Sequence, residues 1–142
     1  MGVPVAVALT TIFAASNARA EERYETLFKE GRKQMTAKDY GKACTLFQES
    51  LDLGAPVGAL LNLADCQDKL GHPARSIALW KEGLEKLPPD DPRRDLAKRA
   101  IDDVDLRVAR IAVAGRAGAN ATAFVDGTSA AIGGAPITVD PG

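Results

Sequence analysis

The sequence predicts an all-α fold of short antiparallel helical hairpins, and three observations carry that prediction. Small and apolar side chains recur mostly at three or four places, as along one face of a helix. They are Ala43, Phe47, Ser50, Leu51 and Leu53, and then Leu60, Leu61, Leu63, Ala64 and Leu70. The joint between these two stretches, Gly54-Ala55-Pro56, is so short that the helices it connects must lie side by side. The chain also matches itself when displaced by 33 residues, which lays Leu27 on Leu60, Gly31 on Ala64, Lys38 on Gly71, Ala43 on Ser76, Phe47 on Trp80 and Leu51 on Leu84. Small residues meet small ones and large apolar residues meet large ones.

Each helix has its own start and stop. The first is expected from Glu21 to about Ala37, with Tyr24, Leu27, Phe28, Gly31 and Met35 on its packed side. Gly31 costs about 1 kcal/mol of helix propensity relative to alanine, so its presence predicts close approach of a neighbouring helix. Asp39 is placed to cap a second helix, Tyr40 to about Leu53. Pro56 suits the first turn of a third, which runs to Leu70 and stops at Gly71. Pro73 opens a fourth, through Ile77, Leu79, Trp80, Leu84 and Leu87, which Pro88-Pro89 ends. Asp90 or Asp91 caps a fifth, with Leu96, Ala100, Ile101, Val104 and Val108 along its apolar side.

The ends of the chain differ from its middle. Val3 to Ala15 is apolar apart from two threonines and leads to Ala18-Arg19-Ala20, a small-x-small cleavage pattern. Residues 1–20 are therefore expected to be a secretory signal peptide, cut after Ala20. No other apolar run approaches the roughly 18 residues of a membrane span, so no span is expected after cleavage. After Arg110 the only charged residues are Arg116, Asp126 and Asp140, and Ala and Gly dominate. Short strands are expected in Val108–Val113, at Ala123–Val125 entering an Asp126-Gly127 turn, and at Ile137–Val139. The domain reading is thus a signal peptide (1–20), a helical domain (21–108) and a flexible or β-prone tail (109–142). So few short strands make no independent sheet of much stability. The tail is left as frayed, docked on the helices, or a fragment of a β-sandwich domain.

Composition excludes some functions. The 142 residues carry a formal charge of −1 and only 5% are aromatic, which offers nucleic acid neither a basic patch nor stacking platforms. There is one histidine, and no glycine-rich phosphate loop, zinc-protease helix motif or nucleophile elbow. No catalytic residues, metal ligands or cofactor are assigned, and an enzyme is not expected. His72 reads as an exposed loop residue or a partner for a helix C-terminus. Trp80 reads as core packing rather than a ligand platform.

Residues 24–87 resemble tetratricopeptide repeats, whose roughly 34-residue unit is a helix pair of this pattern. The matching residues are Leu27, Gly31, Tyr40, Ala43, Phe47 and Leu51 in one unit, and Leu60, Leu63, Ala64, Gly71, Ser76 and Trp80 in the next. Ser50 and Gly83 stand where the family usually has alanine, and Pro73 stands where it has an aromatic residue. The implied fold is two units plus a capping helix. The wider layout is similar to that of exported bacterial proteins, frequent in myxobacteria, in which such units precede a PEGA-like β-sandwich. The motifs that carry this are LFKEGRKQMTAKDYGKACTLFQESLDLG, GALLNLADCQDKLG, RVARIAV, VDGT and ITVDPG. The β part of those proteins continues past ITVDPG, so the chain is expected to be a truncated form.

The resemblance also implies the candidate site. Tetratricopeptide units bind partners chiefly through the first helix of each unit, on the concave face. That assigns a protein or peptide partner to Phe28, Lys29, Arg32 and Met35, and to Asn62, Asp65 and Lys69. Asn62 matches an asparagine of the carboxylate-clamp members. Phe28 and Arg32 replace the clamp's lysine and its next asparagine, which speaks against a true clamp. Lys29, Arg32 and Lys33 would attract an acidic peptide, although the same charges also suit an ordinary solvated helix. The repeat geometry further brings Cys44 near Cys66. The alternatives are a disulfide, which export permits, and two small buried thiols. The function expected is a non-catalytic binding scaffold of the periplasm or cell envelope. Its rivals are an assembly component, pairing through the stack end or the C-terminal strands, and an enzyme of unknown class.

Overall fold

The computed structural model describes residues 7–114, 123–125, 128–132 and 135–140. Among these residues are five helices and four short strands in the order α1 (Val7–Thr36), α2 (Tyr40–Asp52), α3 (Val57–Lys69), α4 (Pro73–Lys86), α5 (Arg93–Asp105), β1 (Ala109–Ile111), β2 (Ala123–Val125), β3 (Thr128–Ala130) and β4 (Ile137–Val139). This is the all-α fold of helical hairpins with a short β tail that periodicity and punctuation predict. The chain divides into two compact units, Met1–Cys66 and Gln67–Gly142, with the boundary inside α3.

In the first unit α1 packs along α2. Gly31 is the notch that lets them approach. A Cβ placed there would lie 2.7 Å from Cε1 and 2.9 Å from Cδ1 of the Phe47 ring. Ala43, Phe47 and Ser50 are wholly buried. The Ser50 hydroxyl donates to the Tyr24 carbonyl at 2.8 Å, so a polar residue at this position is satisfied inside the hairpin. Helix α3 contributes Ala59, Leu60, Leu61, Leu63, Ala64 and Cys66 to the buried set. Leu70, expected on this stripe, falls past the helix end and is 38% exposed.

Helix α1 begins well before Glu21, where the first helix was expected to start. No glycine or proline stands between Val7 and Gly31, and Ala14, Ala15, Ala18 and Ala20 are strong helix formers, so nothing local stops the helix at residue 20.

The 33-residue displacement reappears in the backbone. Lys38 N donates to Met35 O at 3.1 Å, Asp39 N to Gln34 O at 3.0 Å and Ala43 N to Asp39 O at 2.9 Å. Displaced by 33 places, Gly71 N donates to Asp68 O at 3.0 Å, His72 N to Gln67 O at 3.0 Å and Ser76 N to His72 O at 2.9 Å. Each set closes a helix with a left-handed residue, Lys38 at φ 62° in one and Gly71 at φ 84° in the other. The turn within each repeat is therefore the same turn made twice.

In the second unit α4 packs on α5 around Ile77, Val104 and Val108, with Ala74 and Ile101 against them. The packed stripe of α5 is Ala97, Ile101 and Val104, spaced four and three, and Val108 just past the helix continues it. Leu96, expected on that side, is 49% exposed because it sits one residue, about 100° of helix rotation, off the stripe. The cap of α5 also differs from expectation. Pro92 holds the N-cap position without a side-chain cap, and Asp91 accepts from Arg93 N at 2.9 Å from one place further out.

Arg94 Nη1 donates to the carbonyls of Leu84 (2.7 Å) and Leu87 (2.8 Å), groups that the C-terminus of α4 leaves without helical partners. Strands β1 and β4 pair antiparallel, Ala109 opposite Val139 and Ile111 opposite Ile137. Strands β2 and β3 form a separate antiparallel pair, Val125 opposite Thr128. The Asp126-Gly127 turn lies outside the described residues. Strand β4 lies against α4, so this part of the tail is docked on a helix.

Candidate partner-binding face

Four of the assigned residues belong to α1. Phe28, Arg32 and Met35 recur at four and three places and share one face, with Lys29 beside it. Phe28 is half-buried because its ring meets Phe47 at a centroid distance of 5.8 Å and an angle of 53°. That tilted contact fixes the ring at the rim of the hairpin core and leaves part of it facing outward. Met35 is likewise half-buried, whereas Lys29 and Arg32 are exposed.

The charge of this helix is largely balanced along its own surface. Lys29 pairs with Glu25 at 3.2 Å and Lys33 with Glu30 at 3.6 Å, both at helical spacing. Gln34 donates to Glu30 at 2.7 Å, and that bond, more than the nearby Lys33 and Lys42 charges, holds the Glu30 carboxyl below its ordinary range. Arg32 has no ion-pair partner among the described residues, which makes its guanidinium the most available cation of the assigned set on α1. The spacing Glu25–Lys29 was readable in the sequence as a pairing motif. The isolation of Arg32 follows from the same pattern, because positions 28 and 36 carry no acid.

Asn62, Asp65 and Lys69 share a face of α3 at spacings of three and four. Asn62 and Asp65 are half-buried and Lys69 is exposed near the helix end. One N–H of the Asn62 amide donates back to the Gly58 carbonyl at 2.7 Å. Its second N–H remains the donor through which a carboxylate clamp would act.

Cys44 and Cys66 form a disulfide, with Cα atoms 5.6 Å apart, and they are 6% and 0% exposed. Of the two alternatives, the bonded pair is the one present. It ties α2 to α3. The Tyr40 carbonyl lies 3.0 Å from the Cys66 sulfur, where it would accept a hydrogen bond from the thiol of a reduced chain.

His72 is an exposed residue of the turn between α3 and α4, the first of the two places expected for it. It occupies the N-cap position of α4 and makes no side-chain cap. Its Nδ1 lies 2.9 Å from the Gln67 side-chain oxygen, a contact in which the Nδ1–H tautomer donates. Trp80 is 5% exposed and belongs to the buried set.

Among the described residues no group of three or more His, Cys, Asp or Glu side chains could hold a metal ion. No helix formed by the described residues is long and apolar enough to cross a membrane. An open depression of about 340 Å³ on α1 is lined by Arg19, Glu22, Arg23, Thr26 and Leu27, residues of one helix and mixed charge rather than a convergent polar set.

No protein-family model, no curated protein and no solved structure matches the chain. What its own geometry supports is a helical-repeat, tetratricopeptide-like architecture, carried by the doubled turn at Lys38 and Gly71 and by the Gly31–Phe47 packing.

Proposed function

We propose that the chain is a non-catalytic scaffold that binds an acidic protein or peptide through the α1 and α3 faces. The observation that carries this reading is the face at Phe28, Arg32 and Met35, which combines two half-buried apolar side chains with an exposed arginine unpaired among the described residues. Aromatic, methionine and arginine side chains are the types enriched at protein interfaces. We further propose that it acts in the periplasm or envelope of a bacterium, after removal of residues 1–20, as the likeness to exported proteins with a PEGA-like domain implies.

Affinity capture from periplasmic extract tests the first part, with the chain beginning at Glu21 as bait and charge-reversed Arg32→Glu and Lys69→Glu forms beside it. Specific capture lost on charge reversal supports the face. Specific capture unaffected by it removes the face from the proposal. N-terminal sequencing of protein recovered from the periplasm tests the second part and is expected to begin at Glu21.

A second reading has its own observation. All three residues of β1 are exposed, it pairs with β4 alone among the described strands, and Phe124 on β2 is 68% exposed. Open strand edges recruit further strands, so an assembly role predicts concentration-dependent association. Sedimentation of the isolated chain decides between them: a monomer at all concentrations favours the scaffold that binds other proteins.

A further inference from the structure

The doubled turn leaves one inequality between the repeats. In the first, Asp39 caps α2, its carboxylate accepting from Lys42 N at 3.3 Å. At the equivalent place in the second stands His72, whose ring is engaged with Gln67 and which gives α4 no side-chain acceptor. The first N–H groups of α4 thus lack the local partner that α2 has. Pro73 supplies no N–H, so the first of these groups belongs to Ala74. Its acceptor comes from 66 residues away: Asp140 Oδ1, directly after β4, at 2.6 Å. The negative carboxylate also sits where the α4 dipole favours it.

We propose that the β1–β4 ladder and Asp140 form a clasp on α4, so that the order of these two strands and of the helix N-terminus is one event. Val108 anchors its near end in the cluster with Ile77 and Val104. Asp140 fastens its far end, and the β1–β4 ladder brings the two ends together. The ladder is only three residues long on each strand, too short to hold by itself. It depends on the capping contact, and the cap in turn depends on the ladder to deliver Asp140. Opening the clasp therefore uncaps α4, and loss of the Asp140 contact frees the two strands.

Amide hydrogen exchange on the full chain, read residue by residue, tests the coupling. Asp140→Ala is expected to speed exchange at Ala74 and, together with it, at residues 109–111 and 137–139. An N-cap lost to alanine corresponds to about a fivefold acceleration at Ala74. Amides around Phe47, in the other unit, report whether the variant is folded. Asp140→Asn, which keeps a side-chain oxygen for the cap, is expected to retain most of the protection. His72→Ser combined with Asp140→Ala restores a local cap, and should protect Ala74 again while the strands stay fast. Acceleration at Ala74 with the strands unchanged would overturn the proposal, as would strand protection that returns in the double variant.

Discussion

The Phe47 ring fills the notch at Gly31, where a side chain's first carbon would meet it at 2.7 Å. Helix propensity alone would make Gly31→Ala stabilising by about 1 kcal/mol. The ring is wholly buried and has nowhere to retreat, and overpacking costs roughly 1–3 kcal/mol. The net expectation is a loss of about 1 kcal/mol, seen as a lower urea midpoint. Combining Gly31→Ala with Phe47→Leu should cost less than the sum of the single changes, because the smaller partner vacates the contact.

Lys38 holds a left-handed backbone at φ 62°, a conformation that costs a side chain about 1 kcal/mol and glycine almost nothing. Its counterpart in the next repeat is Gly71. Lys38→Gly is therefore expected to stabilise the chain by about 1 kcal/mol. A thermal melt that moves down would show that the lysine makes a contact worth more than its strain.

Reduction of the Cys44–Cys66 bond removes a cross-link across 22 residues, worth about 3 kcal/mol on the chain-entropy account. Cys44→Ala with Cys66→Ala should lower stability by a similar amount, with the helices retained by circular dichroism. Under non-reducing conditions the intact chain should be two hydrogens lighter than its reduced form. Both sulfurs are buried, so mild reductant should act slowly until denaturant is added; fast alkylation after mild reduction alone would contradict the packing described.

Asp91 accepts three hydrogen bonds from Arg93: from its backbone N at 2.9 Å, from Nε at 2.9 Å and from Nη2 at 2.6 Å. The side-chain bonds first, and the backbone bond next, lower its pKa from 3.8 to about 2. A carboxyl depressed on folding contributes stability that is fully present above its unfolded pKa and is lost as pH falls through the folded one. The contribution should hold above pH 3.8 and fade between there and about pH 2. Asp91→Asn should flatten the stability profile in that window and leave its shape near neutrality unchanged. The carboxyl carbon shift of Asp91 should titrate with a midpoint near 2; a midpoint near 3.8 would mean the Arg93 contact is absent in solution.

Most of the helical layout was legible from the residues because it is local. Asp39 before Tyr40, Gly71 before Pro73 and the prolines at 88 and 89 mark ends wherever the chain folds, and the helices start and stop within about a residue of those marks. The start of α1 was not legible, because the small-x-small pattern ending at Ala20 puts no break in the helix. The stripe of α5 was misplaced at Leu96 by weighing hydrophobicity over phase: Ala97 is smaller, but it lies in line with Val104 and is 0% exposed. On the candidate face, the residue types and the Glu25–Lys29 pairing could be read directly. That Phe28 would be anchored by Phe47 could not, since it depends on how closely α1 and α2 approach.

The sequence by itself determined the 33-residue repeat, the turn residues at each joint and the cysteines that a bond could join, since each rests on near neighbours or on a repeated pattern. The tertiary structure alone decided which distant groups meet. Ser50 reaches Tyr24 across 26 residues, Arg107 clasps both carboxylate oxygens of Asp68 across 39 at 2.7 and 3.0 Å, and Asp140 reaches Ala74 across 66. A buried hydroxyl, a guanidinium and an uncapped helix end each require a partner, but only the folded path of the chain selects which one.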